Sequence, residues 1–224
     1  MTDEQKQSGI QTLINGGGIP GESIFWRFVP EITPNEAETY VNLLQQWQDE
    51  YRRHYEELKD DRAIVVVEAL CIEDCLDKMI EAIFPRSKEI LENKDFSFSL
   101  KIDLIRAYNV IPNRILDDCD TIRQMRNDFA HELSLKTFSD WDIYISKKKK
   151  AGSKRQTFKD VINRAIKVYG NYYDLRASYR VRFEDFAAPV IMSLLLYVTH
   201  VQAMRKFMDS EDFMKTLIEF SQRK

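Results

Sequence analysis

The chain has 224 residues, of which only 7 are glycine and 6 proline, together about half the usual share of roughly 12%. Sandwiches, barrels and doubly wound sheets need frequent Gly/Pro turns, so this scarcity excludes them and leaves long helices joined by few turns. At 44% hydrophobic and 31% charged with a net charge of −3, the composition is that of a soluble globular chain with a sizeable core. It excludes a disordered chain and a surface coated in positive charge for DNA, while leaving room for a local basic patch.

Residues 1–32 read as an irregular leader. A polar start gives way to Asn15-Gly16-Gly17-Gly18-Ile19-Pro20-Gly21 and then to the aromatic residues Phe25, Trp26 and Phe28. The triple glycine lacks the Gly-Lys-Ser/Thr of a phosphate loop, so it reads as a flexible joint whose aromatic tail docks on the body. The amino terminus shows no signal-peptide pattern. The longest apolar run, Ala187 to Val198, is about half a membrane span and reads as a buried helix. The expectation is a cytoplasmic protein without membrane contact.

From residue 33 to 224 the pattern is that of one helical-bundle domain of about five to seven helices. Thr33-Pro34-Asn35-Glu36 is a capping box with proline at the first helical position. Tyr40, Leu44, Trp47, Tyr51, Tyr55 and Leu58 then mark one face of a helix ending at about Leu58. A second helix is predicted over about Arg62–Phe84, with Val65, Ala69, Ile72, Leu76, Met79 and Ile83 as its stripe and Pro85 as its stop. A short helix follows over about Ser99–Tyr108, and a fourth over about Asn113–Leu133. Leu135–Arg155 is the least regular stretch: Trp141-Asp142-Ile143-Tyr144-Ile145 reads as a short strand, and 146–156 as an exposed basic loop. That loop holds Lys147, Lys148, Lys149, Lys150, Lys154 and Arg155, six basic residues in nine. Helices over about Phe158–Tyr169 and Arg180–Met208, the latter kinked at Pro189, precede an amphipathic tail at Phe213, Leu217 and Phe220.

Cys71, Cys75 and Cys119 are an odd number and imply no disulfide framework. The helical spacing of Cys71 and Cys75 inside an apolar run marks them as small buried hydrophobes. The histidines His54, His131 and His200 are scattered, so no metal site and no cofactor are expected.

The informative segment runs from Asp117 to His131. On a wheel of about 100° per residue with Ile115 at zero, Cys119, Ile122, Phe129, Ala130 and Leu133 lie within about 60° of it, and Arg126 falls at about 20°, inside the apolar stripe. A buried guanidinium needs a partner, and Glu68 on the second helix lies among Ile64, Ile72 and Cys75, so a Glu68–Arg126 ion pair is predicted. Asp120, Gln124, Asn127 and His131 cluster between about 120° and 180°, on the polar face. An unbroken helix thus aims Arg126 and His131 apart. Either the helix unwinds near Phe129, or Arg126 is structural and the chemical face is Asn127 with His131.

Arg126-Asn127 followed by Ala130-His131 resembles the Arg-x(4–6)-His signature of the HEPN superfamily. These are helical-bundle proteins that include many metal-independent ribonucleases of toxin and antiviral systems. More narrowly, Phe98–Ile102, Arg126–His131, Leu135–Asp140 and Arg180–Phe183, in that order over roughly residues 36–205, resemble the bacterial mannitol operon repressor family, with the leader and the basic loop as additions. The first resemblance implies a homodimer with a shared cleft and Arg126, Asn127 and His131 as catalytic residues; Glu68 and Asp120, placed by the wheel, are the candidate supporting residues. RNA would be the substrate, with an antitoxin as a potential partner. The second implies a transcriptional regulator that works through a protein partner without chemistry. A non-catalytic bundle that binds RNA or nucleotide is a third reading. Metal-free RNA cleavage needs a base for the 2′-hydroxyl, an acid for the leaving 5′-oxygen and positive charge beside the phosphorus. One chain supplies a single well-placed histidine, so a two-fold dimer is required to supply the second, with the basic loop holding the RNA backbone.

Overall fold

The computed structural model describes residues 42, 49, 58–152, 155–169 and 178–209. The leader, most of the first predicted helix, Lys154 and the tail at Phe213–Phe220 lie outside the described residues. Asn42 and Asp49, within the first predicted helix, are helical. The protein is an all-α helical bundle, and among the described residues there are seven helices and no strand. In chain order they are α1 (Asp61–Ile83), α2 (Ser87–Leu91), α3 (Phe98–Tyr108), α4 (Asn113–His131), α5 (Phe138–Lys150), α6 (Phe158–Tyr169) and α7 (Tyr179–Met208).

Local chemistry sets most of these limits. Asp60 accepts the Arg62 N–H through its side chain and the Ile64 N–H through its carbonyl, starting α1. Ser97 caps α3, which ends at Asn109 in the left-handed conformation (φ 58°), a role that asparagine tolerates better than most residues. Thr137 and Asp140 form a full capping box at α5. Thr157 and Asp160 exchange the same two bonds at α6. Helix α7 runs through Pro189 as one element. Its span Tyr179–Lys206 is long and apolar enough to cross a membrane by length and composition, yet half of its most apolar window is buried inside the protein. The buried residues Phe183, Phe186, Val190, Leu194, Tyr197 and Val201 recur at intervals of three or four, the spacing of a helix that packs on a core.

The chain divides into two compact units, with the division passing through α1 after Asp74 and through α7 after Ser193. One unit contains Cys75–Pro112 and the chain from Leu194 onward. There Phe84 meets Tyr108 edge-on at 5.4 Å, and Lys101 binds Asp77 at 2.8 Å. Arg205 donates to the carbonyls of Glu81 and Ala82 at 3.0 and 3.3 Å, covering the end of α1.

The other unit contains Gln48–Asp74 and Asn113–Ser193, and with them the whole of α4, α5 and α6. Its centre is aromatic. Phe138 lies 4.6 Å from Phe183 and 6.0 Å from both Phe129 and Phe158, and Phe158 lies 5.1 Å from Tyr179. Burying each of these rings contributes about 1.5–3 kcal/mol, with a further increment from edge-to-face contact.

Helix α5 corrects the sequence reading in two ways. Trp141–Ile145 is helix and not strand, and Lys147–Lys150 form the last turn of that helix, followed by a turn at Ala151 and Gly152. The physical reasons are the capping box in front, the stripe of Phe138, Trp141 and Ile145 buried at intervals of three and four, and lysines at the end where the helix dipole favours cations. None of Cys71, Cys75 and Cys119 forms a disulfide, and Cys75 and Cys119 are buried.

Candidate functional site

Helix α4 carries the motif, and it is unbroken from Asn113 to His131. Its buried residues are Ile115, Leu116, Asp118, Cys119, Ile122, Met125, Asp128 and Phe129. On the wheel that buried arc is centred near about −30°, displaced from Ile115 toward Met125 and Asp118. In the C-terminal half of the helix the buried residues Ile122, Met125, Asp128 and Phe129 lie between about −140° and −20°, which leaves Arg126 at the edge of the buried face, where it is half-buried, and leaves Ala130 exposed.

The predicted Glu68–Arg126 pair is not formed. Arg126 instead donates from Nη1 to Asn127 Oδ1 at 3.1 Å. Glu68 is fully buried, and neither of its carboxylate oxygens has a hydrogen-bond partner. Burial first, and then the nearby charge of Glu184, hold its pKa well above the ordinary carboxylate value. The pairing failed because Arg126 sits at the rim of the core and its long side chain turns toward Asn127, whereas Glu68 points into the interior.

His131 is exposed in the last turn of α4. The carbonyls beyond it are covered from α1: Arg62 Nη2 donates to Leu135 O at 2.6 Å and, more weakly, to Glu132 O and Leu133 O at 3.4 Å. Arg62 therefore does the work a helix-end histidine often does, and the imidazole of His131 is not required for it. Asn127 and His131 lie one turn apart on the same side of α4, and the guanidinium of Arg126 is bonded to that side through Asn127.

Asp120 does not reach His131. It accepts Arg123 Nε at 2.8 Å and Gln124 Nε2 at 2.6 Å. From there a polar network continues that sequence reasoning missed. Gln124 Oε1 accepts Arg155 Nε at 3.2 Å, Arg155 Nη1 donates to Asp128 Oδ1 at 2.6 Å, and Asp128 Oδ2 accepts the Trp141 indole N–H at 2.9 Å. A second set joins it: Arg164 donates to Asp118, Thr121 and Gln156. Asp118 and Asp128 are buried, so each needs a cation, and Arg164 and Arg155 supply it. The signal was present as two acidic residues on the flanks of an apolar stripe, but nothing in the spacing says which arginines answer them.

Between these groups lies a half-open cavity of about 250 Å³. Asp117, Asp120, Thr121 and Gln124 of α4 form one wall, and Trp141, Arg155, Gln156 and Arg164 face them from the following segments.

The basic residues divide. Arg155, expected to face RNA, is instead a half-buried structural partner of Asp128, because that aspartate has no other cation to neutralise it among the bonds that hold it. Lys149 pairs with Asp160 at 2.6 Å, and the Asp160 pKa falls to about 2, first through this bond and then through the Thr157 N–H. Lys148 lies 4.3 Å from the centre of the Tyr144 ring. Lys147 and Lys150 are exposed. Among the described residues no group of three or more His, Cys, Asp or Glu side chains is placed to hold a metal ion. No family model, curated protein or solved structure matches the chain.

Proposed function

We propose that this chain is a HEPN-like, metal-independent endoribonuclease that acts as a homodimer, with Arg126, Asn127 and His131 at its site. The observation that supports it is the Arg126–Asn127 bond of 3.1 Å beside an exposed His131 on an unbroken helix. The main objection to the motif is that a regular helix aims Arg126 and His131 in different directions. A guanidinium bonded to Asn127 Oδ1 answers it without unwinding, since the positive charge is drawn toward the side that His131 shares.

In the proposed reaction one His131 takes the proton of a ribose 2′-hydroxyl, and the oxygen attacks the adjacent phosphorus. The bond to the 5′-oxygen breaks, and the partner subunit's His131 protonates that oxygen, leaving a 2′,3′-cyclic phosphate and a 5′-hydroxyl. Histidine suits both roles because its ordinary pKa lies near neutral pH. The Arg126 guanidinium stabilises the charge that gathers on the phosphorus oxygens. Lys147 and Lys150 attract the RNA backbone.

A second reading, a regulator of the mannitol-repressor type, is favoured by one observation: Asp120 and Gln124, half of the polar face, are already engaged in bonds to Arg123 and Arg155. Incubating the purified full-length protein with bulk RNA in chelator, beside His131→Ala, separates the two. The nuclease reading expects cleavage by the wild type and a loss of at least about a hundredfold in the variant. Intact RNA with both proteins, or equal cleavage by both, overturns it in favour of the regulator. Light scattering should give a dimer, and a strict monomer removes the paired-histidine mechanism.

A further inference from the structure

We infer that Arg62 is a positioning residue that holds the His131 imidazole in its place in the proposed site. The inference rests on the nuclease reading and names the contact on which its exposed histidine depends. Among the described residues no hydrogen bond or ion pair holds the imidazole of His131. Its place is therefore set by the backbone that carries it, the last turn of α4.

That turn has no stop signal of the usual kind. Helix α3 ends on Asn109 in the left-handed conformation, which closes its last carbonyls within the chain. After His131 the chain continues as Glu132-Leu133-Ser134-Leu135, without glycine or asparagine, and none of these residues has a positive φ. Within this stretch the Leu135 N–H donates to Glu132 O at 3.1 Å, and Ser134 Oγ donates to the Glu132 carboxylate at 2.8 Å. The carbonyls are met from 70 to 73 residues away: Arg62 Nη2 lies 2.6 Å from Leu135 O and 3.4 Å from both Glu132 O and Leu133 O. A helix end satisfied by one remote guanidinium frays when that group is removed.

Arg62 is fit to act as a clamp because the backbone around it is itself tied down. Its N–H donates to Asp60 Oδ1 at 3.2 Å, Asp61 Oδ2 accepts the Phe138 N–H at 3.0 Å, and Leu58 O accepts Arg180 Nη2 at 2.5 Å. All of these residues, and His131 with them, belong to one compact unit. Arg126 and Asn127 lie about a turn further into α4 and are bonded to one another, so they do not depend on this clamp. Loss of Arg62 thus moves His131 and leaves the groups that bind RNA where they are. A displacement of about 1 Å at a reacting group is enough to cost on the order of a hundredfold in rate.

Steady-state cleavage of a mixed-sequence RNA oligonucleotide by the full-length protein tests this, at a temperature where melting shows every variant folded. Arg62→Ala is expected to lower kcat by at least about tenfold and to keep KM within about twofold, the split of a misplaced group and not of lost binding. Only Nη2 of the guanidinium bonds the turn, so the single ammonium of Arg62→Lys should restore kcat to within about threefold of the wild type. Arg205→Ala is the matched control. Arg205 covers the end of α1 by the same chemistry and belongs to the other unit, so its loss should leave both constants within about twofold. The imidazole NMR signal of His131, identified by its loss in His131→Ala, should shift in Arg62→Ala and stay in place in Arg205→Ala. An unshifted signal, an unchanged kcat in Arg62→Ala, a change in KM alone, or an equal loss of kcat in Arg205→Ala overturns the inference. So does an Arg62→Lys protein no faster than Arg62→Ala. RNA left intact by the wild type overturns the nuclease reading, and a shifted His131 signal in that case still assigns the clamp to Arg62.

Discussion

Arg155 and Asp128 are bound to one another, Nη1 to Oδ1 at 2.6 Å, and the other oxygen of Asp128 holds the Trp141 indole N–H. The pair joins the segment after the lysine run to the last turn of the motif helix. A residue that looks, in sequence, like part of a nucleic-acid patch is therefore an internal tie. Asp128 is only 10% exposed and Arg155 25%, so removing the carboxylate leaves a half-buried guanidinium and an indole N–H without their acceptors. Asp128→Ala is expected to cost about 2–4 kcal/mol, somewhat below the cost of a fully buried pair because Arg155 keeps some contact with water. Urea unfolding measures it, and a loss under about 1 kcal/mol would mean that the tie carries little.

Arg62 makes a second long-range tie. Its guanidinium covers the carbonyls of residues 132, 133 and 135 at the end of α4, and Asp61 beside it accepts the Phe138 N–H at 3.0 Å. Adjacent residues at the start of α1 thus secure both sides of the α4–α5 connection. Arg62→Ala is expected to destabilise the protein by about 1–2 kcal/mol, the range for a charged donor on backbone acceptors near the surface. Hydrogen exchange should quicken in the last turn of α4 more than elsewhere in that helix. Uniform exchange along α4 in the variant would show that Arg62 does not fix the position of His131.

Glu68 gives a pH dependence whose sign can be worked out. Its folded-state pKa is raised by burial and then by Glu184, so the folded protein holds this proton at pH values where the unfolded chain has released it. The contribution to stability is fully present below the unfolded value of about 4.3 and is lost as pH rises through the folded pKa. Glu68→Met removes the unmatched oxygens at similar volume. It is expected to stabilise the protein by about 1–3 kcal/mol at pH 8 and by less at pH 5. Unfolding curves at the two pH values decide it, and a gain that is the same at both would separate the stabilisation from ionisation of this carboxyl.

How far the sequence could be read depends on whether the determining contact is local. The limits of α1, α3, α4, α6 and α7 follow from apolar periodicity and nearby stop signals, and the structure places them within a residue or two of expectation. Helix α5 was also locally encoded, in Thr137-Phe138-Ser139-Asp140 as a capping box, but Trp141, Ile143, Tyr144 and Ile145 carry high strand propensity and drew the reading the other way. The burial of Phe138, Trp141 and Ile145, with Phe138 against Phe183 and Trp141 against Phe158, overrides that propensity. The ties of Arg62, Arg155 and Arg164 join residues 27 to 73 positions apart and have no local signal. Glu68 shows the limit most plainly. The wheel identified it as a carboxylate on an apolar face, and the assumption that such a group must find a cation supplied the wrong partner for Arg126.

The division among the basic residues yields the last expectation, which concerns RNA binding. Lys147 and Lys150 are exposed, whereas Lys149 is paired with Asp160 and Arg155 with Asp128. Each lysine that neutralises a phosphate steepens the salt dependence of binding, by about 0.7 in the log–log slope for a single strand. Lys147→Ala and Lys150→Ala are each expected to reduce that slope by about this amount while leaving stability within about 0.5 kcal/mol of the wild type. Arg155→Gln should do the reverse, lowering stability through the loss of its bond to Asp128 and leaving the slope unchanged once measured on folded protein. Titrations of a labelled single-stranded RNA at several salt concentrations, run beside urea unfolding, distinguish the two behaviours. An Arg155→Gln protein that is as stable as the wild type yet flatter in salt would return Arg155 to the RNA-facing role that its bond to Asp128 argues against.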